Sequence, residues 1–86
     1  MYLHVGNNQN IRVRDIVGIF DADNATVSAV TKKYISSANT KNSVVFASEE
    51  LPKSFVLYTE NGLYKICFSQ FSPSALVGRM KTNYEI

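Results

Sequence analysis

Apolar and polar positions alternate along most of this chain with the two-residue period of strands, interrupted by two stretches with the three-and-four spacing of helices. Tyr2, Leu3, His4 and Val5 read as a short strand. The turn formers Gly6-Asn7-Asn8-Gln9-Asn10 separate it from residues 11–14, where Ile11 and Val13 alternate with Arg12 and Arg14. This predicts an opening hairpin. Ile16, Val17, Ile19 and Phe20 form a β-branched and aromatic run that predicts a third strand, although Asp15 offers a cap for a single helical turn at the same place. Asp21-Ala22-Asp23-Asn24 then supplies helix caps ahead of Val27, Val30 and Tyr34, which share one helical face. The spacing predicts a helix over residues 24–37, with Ala38 extending the apolar face and Thr31, Lys32 and Lys33 on the other. The polar residues 36–42 predict a mobile loop.

Residues 43–46 predict a short strand. Two alternating runs, residues 54–60 and 63–68, flank Asn61-Gly62, the dipeptide preferred in a type I′ turn because both of its positions need positive φ. Counting outward from Glu60 opposite Leu63 puts Phe55, Leu57, Thr59, Tyr64, Ile66 and Phe68 on one face. That face is predicted core. Val56, Tyr58, Glu60, Leu63, Lys65 and Cys67 share the other, which holds more apolar surface than a wet face needs and suggests a subunit contact. Ser72-Pro73 opens a second helix, since Ser caps well and Pro suits the first helical position. Ala75, Leu76 and Met80 should face inward while Arg79 and Lys81 project, and the helix should end near residues 82–83. The expected fold is α+β: one domain over residues 1–86, an antiparallel sheet with two helices in the order βββαβββα.

Composition narrows the function. At 86 residues and 45% hydrophobic, the chain is sized for one small globular domain. Nine Lys and Arg against seven Asp and Glu leave a net charge of +2, too small for a lone copy to be held by the field of nucleic acid. A domain this short buries only ~60% of its unfolded surface, so a staple is expected. One cysteine and one histidine make neither an internal disulfide nor a structural zinc site, which leaves self-association. No basic leader, signal run or membrane-length apolar stretch is evident, and with an unpaired thiol this points to the cytoplasm.

Catalytic chemistry finds no support in the residues. His4 reads as an edge or interface residue of a strand, and Cys67 as a packed thiol with only Lys65 charged nearby. Asp15, Asp21 and Asp23 lack the alternating oxygen ligands and closing Glu of a calcium loop and suit caps and turns. The four glycines are scattered, so no phosphate-cradling loop is present. No enzyme, cofactor, metal or small-molecule substrate is expected. The arginines are more informative: on one strand, Arg12 and Arg14 project to the same side, and their planar donor forks suit phosphate. A solvated face with Arg14 paired to Asp15 or Asp21 is the competing reading.

The opening Met1-Tyr2-Leu3-His4-Val5-Gly6 and the run Val13-Arg14-Asp15-Ile16-Val17-Gly18-Ile19-Phe20-Asp21 resemble the RemB type of the bacterial RemA/RemB family of extracellular matrix regulatory proteins. Leu51-Pro52-Lys53-Ser54-Phe55-Val56 and Phe71-Ser72-Pro73-Ser74-Ala75-Leu76 extend the likeness over nearly the whole chain. The resemblance implies a cytoplasmic transcriptional regulator of biofilm matrix genes that binds double-stranded DNA as a ring-like homo-oligomer. A weak charge repeated around a ring becomes a basic belt. By the same resemblance Arg14 contacts DNA; Arg12, on the same side, is read as joining it, with Lys53 and the helical Lys33 as secondary phosphate contacts. Where the RemA branch has a second basic cluster this chain carries Glu49 and Glu50 and keeps only Lys53, and carboxylates there repel phosphate. Those two residues favour a rival reading: an oligomeric scaffold or cofactor of another regulator, using the Val56, Leu63 and Cys67 face and binding no DNA.

Overall fold

The computed structural model describes residues 1–35 and 43–84, with the side chains of 82–84 left aside. Strands β1 (Tyr2–Gly6) and β2 (Gln9–Arg12) form a two-stranded hairpin. Its tip is Asn7-Asn8, both at positive φ, 43° and 65°, a conformation Asn tolerates because its short polar side chain bonds locally. A single 3₁₀ turn over Val13–Asp15 leads into β3 (Ile16–Asp21), so both readings of this stretch hold in succession. The Asp23 carboxylate then caps α1 (Asn24–Tyr34), accepting from the Thr26 backbone N–H at 2.9 Å and from its hydroxyl at 2.7 Å. The helix stops at Tyr34, three residues before the predicted end, with Ile35 as its C-cap. The predicted mobile loop over residues 36–42 lies outside the described residues.

Beyond it come β4 (Val44–Phe46), β5 (Ser54–Glu60), β6 (Leu63–Ser69) and α2 (Pro73–Tyr84). The fold is α+β, with the predicted order of elements. Asn61 at φ 52° and Gly62 at φ 80° form the turn, and the β5–β6 register runs from Glu60↔Leu63 to Ser54↔Ser69, as the sequence predicts. Two features depart from an all-antiparallel sheet. The opening hairpin is a separate sheet, and in the four-stranded sheet, ordered β3-β5-β6-β4, β4 lies parallel to β6. Parallel pairing needs a long crossover, which residues 47–62 provide by way of β5.

The four-stranded sheet is covered on both faces. Phe55, Leu57 and Ile66 pack against Val30, Ile35 and the half-buried Val27 and Tyr34 of the α1 side. Each fully buried side chain of this kind contributes roughly 1.5–3 kcal/mol. On the opposite face Val56, Tyr58 and Cys67 are buried with Leu3, Val5, Ile11 and Val13 of the hairpin region and Leu76 of α2. This corrects the subunit-contact expectation for that face: Val56 and Cys67 are interior, and of its apolar trio only Leu63 is exposed. Ala75, expected to point inward, is exposed too, leaving Leu76 and Met80 as the inward pair of α2. Three buried hydroxyl contacts tie the layers. Ser69 Oγ donates to the Val5 carbonyl at 2.8 Å and Ser54 Oγ to the Phe71 carbonyl at 2.7 Å, while the Phe71 N–H donates to Ser69 Oγ at 3.1 Å.

Candidate nucleic-acid interface

The hairpin fixes the arginines through its register. Arg12 stands opposite Tyr2 in the ladder, and the Val13 N–H donates to the Met1 carbonyl at 3.1 Å, which extends the pairing past the end of β2. Val13 is buried between two exposed residues, and the 3₁₀ turn around it swings Arg14 out beside Arg12. Met1, Tyr2, Arg12 and Arg14 together line a concavity of about 360 Å³. The pairing of guanidinium groups expected from the sequence is therefore present, but it comes from a strand end followed by a 3₁₀ turn and not from one continuous strand.

The two arginines differ in their surroundings. A hydrogen bond with the Tyr2 hydroxyl, then proximity to Tyr2 and to Asp15, holds the Arg12 guanidinium above its ordinary pKa. Arg14 makes no ion pair among the described residues; the pairing with Asp15 or Asp21 weighed from the sequence does not form. The salt bridge among those residues is elsewhere, Lys65 Nζ to Glu60 Oε1 at 2.6 Å. An exposed guanidinium that makes no ion pair among the described residues, next to one bonded to Tyr2, is suited to a phosphate group.

The secondary contacts fall elsewhere. Lys53 lies at the far end of β3: its carbonyl accepts from the Ala22 N–H at 3.2 Å and its own N–H donates to the Ser69 carbonyl at 2.9 Å. Lys33 sits in the last turn of α1, its ammonium 5.3 Å from the Tyr34 ring centre, and Tyr34 meets Tyr64 near the β5–β6 turn. That places Lys33 at the arginine end of the sheet but across it, on the face that α1 covers. Glu49 and Glu50 line a separate hollow with Asn7, Ala47, Ser48 and Gln70, beside the tip of the opening hairpin. Five strand steps separate that tip from Tyr2, roughly 17 Å at the usual rise.

His4 is exposed on the hairpin, its Nδ1–H donating to Asn10 Oδ1 at 3.2 Å across the strand pair. Cys67 is 1% exposed, and burial pushes its thiol up to about 11, away from thiolate chemistry. Asp23 serves as a helix cap, and no group of three or more His, Cys, Asp or Glu among the described residues is placed to hold a metal ion. No helix among the described residues is long and apolar enough to cross a membrane.

Two aromatic members of the site were not singled out from sequence. Tyr2 flanks both arginines, and Tyr58, assigned to the presumed outer face, lines an adjoining hollow of about 500 Å³ with Tyr2, Arg12 and Asp15. The excess of apolar residues on that face was the available signal, because it calls for a cover, and the cover is the chain's own hairpin. Among known proteins, no family model matches the chain. Over all 86 residues it is 35% identical to extracellular matrix regulatory protein B of Bacillus subtilis (strain 168), spanning 98% of that protein.

Proposed function

The chain belongs to the RemB family of extracellular matrix regulatory proteins, and from that premise we propose that it regulates transcription of matrix genes in the cytoplasm by binding double-stranded DNA as a ring-like homo-oligomer. The observation that carries this reading is the concavity between Arg12 and Arg14, where one guanidinium bonds Tyr2 and the other makes no ion pair among the described residues. Contacts of this kind hold the DNA backbone and carry no base sequence, so discrimination comes from DNA shape.

The carboxylates Glu49 and Glu50 do not oppose this within one subunit. They sit at the other end of the hairpin from Arg12, beyond the ~8 Å over which physiological salt screens exposed charges. Their repulsion of a phosphate at Arg14 is correspondingly weak. Lys33 and Lys53 act as secondary contacts only where neighbouring copies present them to the same duplex, which is what a ring of weakly charged subunits provides. A regulator of this design needs no catalytic group or cofactor.

The test is a duplex titration by fluorescence anisotropy at several salt concentrations, with light scattering for native mass. Each phosphate contact contributes about 0.9 to the slope of log K against log salt. Arg14→Ala should weaken binding across unrelated sequences and flatten that slope by about one unit per subunit engaged. Wild-type protein indifferent to duplex at low salt, or a variant with an unchanged slope, would overturn the proposal.

A further inference from the structure

The open end of the hairpin carries two hollows that share a wall. The first, about 360 Å³, has Arg12 and Arg14 as its charged lining; the second, about 500 Å³, runs between the hairpin and the β5–β6 turn and shares Tyr2 and Arg12 with the first. Both volumes lie in the ~300–1,000 Å³ range of small-molecule sites. Their chemistry is opposite. The second offers the amides of Asn10 and Asn61, the carboxylate of Asp15 and that of Glu60 in its ion pair with Lys65, and the Asp15 carboxylate disfavours a further phosphate there.

Tyr58 supplies an independent pointer. It is 7% exposed, yet its hydroxyl has no hydrogen-bond partner among the described residues. No wholly enclosed side-chain oxygen or nitrogen in those residues lacks a partner, so the surface left to this hydroxyl opens into the second hollow. Burial, then the proximity of Cys67 and Glu60, pushes the phenol up to about 12, so at neutral pH it is always a donor. Opening into a polar hollow, the hydroxyl is placed to donate to an acceptor on a ligand seated there.

We propose that the paired hollows bind a mononucleotide, its phosphate between Arg12 and Arg14 and its uncharged body in the second hollow against Tyr58, with the base on the exposed ring of Tyr2. The division of charge selects this class. One phosphate is received at the arginines, and a body rich in N–H and O–H donors with a flat aromatic face is received beside them. The bound nucleotide occupies the arginines assigned above to DNA and competes with it.

The experiment is calorimetric titration of the full chain, without DNA, with guanosine 5′-monophosphate, ribose 5-phosphate and inorganic phosphate. The nucleotide should bind at least tenfold tighter than either of the others. Tyr58→Phe should weaken it about tenfold, the loss of one hydrogen bond, and leave phosphate binding unchanged; Arg14→Ala should weaken all three. Tyr2→Ala, at an exposed position, removes the stacking face and provides the same contrast if Tyr58→Phe fails to fold. Equal affinity for the nucleotide and ribose 5-phosphate or phosphate, no detectable nucleotide binding, or a nucleotide affinity unmoved by both tyrosine variants would overturn the proposal. None of these outcomes touches the duplex titration, so the two readings fail separately.

Discussion

Cys67 shows how far a single side chain's role follows from its surroundings. The sequence marks it as a packed thiol because Lys65 is its only charged neighbour along the strand, and the structure encloses it between the sheet and the hairpin layer. The thiol would ionise near 9.0 in the unfolded chain but only near about 11 when folded, so deprotonation favours unfolding. Its contribution to stability is therefore complete below pH 9 and lost as pH rises toward 11, a total of roughly 2–3 kcal/mol at ~1.4 kcal/mol per unit. Urea unfolding across that window should show the wild type losing about this much more than Cys67→Ala. Parallel declines in the two proteins would mean that the buried thiol ionises as easily as a free one. Arg14 was legible in the sequence at the same scale, by its two-residue offset from Arg12. Tyr58 was not, because its value to the site depends on a hairpin fifty residues away folding over it.

Elements were readable where their own residues determine the geometry and unreadable where a distant partner does. The β5–β6 register follows from Asn61-Gly62 alone, since only a two-residue turn with both φ values positive fits there. The parallel seat of the three-residue β4 carries no such local signal. Strand β3 is an intermediate case: Ile16 and Ile19 are three apart yet both pack against the same cluster, which strict alternation forbids. A register shift between Ile16 and Gly18 resolves it, adding one residue and leaving Val17 exposed on the edge. Past the bulge, Gly18 shares a strand face with Phe20, and an added Cβ there would lie 2.7 Å from two ring atoms. Phe20 in turn stacks on Phe55 at 5.2 Å, so the ring moves only by leaving that contact. Gly18→Ala is expected to cost about 1–3 kcal/mol in chemical denaturation, the usual penalty of overpacking. Unchanged stability would show that the ring has room to yield.

At the scale of the whole molecule, the arginine pair and the Glu49-Glu50-Leu51 segment stand at opposite ends of the sheet. Arg12, Arg14 and Tyr2 lie at one end; Glu49, Glu50 and Leu51 lie toward the other, where β4 also ends in Phe46. Phe46 is 61% exposed and stacks on Phe68 at 5.1 Å, and Leu51 is 90% exposed. The two edges of the four-stranded sheet are not equivalent. The bulge in β3 disrupts that edge, which discourages strand addition, whereas β4 presents an apolar edge with no bulge. If the proposed homo-oligomer forms, the β4 edge offers Phe46 and Leu51 to a second copy, and such a contact leaves the arginine end clear for DNA. Placing a carboxylate there buries an unpaired charge in the interface and breaks association without disturbing either core cluster, of which Phe46 and Leu51 are not members. The double variant Phe46→Glu with Leu51→Glu should therefore reduce the native mass measured by light scattering to that of one chain while the far-ultraviolet circular dichroism stays that of the wild type. Its affinity for duplex should fall further than Arg14→Ala alone achieves at equal salt, because removing neighbours removes every repeated phosphate contact at once. An unchanged mass would exclude the β4 edge as the interface, and an unchanged affinity in a monomeric variant would show that the arginine pair of a single copy holds DNA by itself.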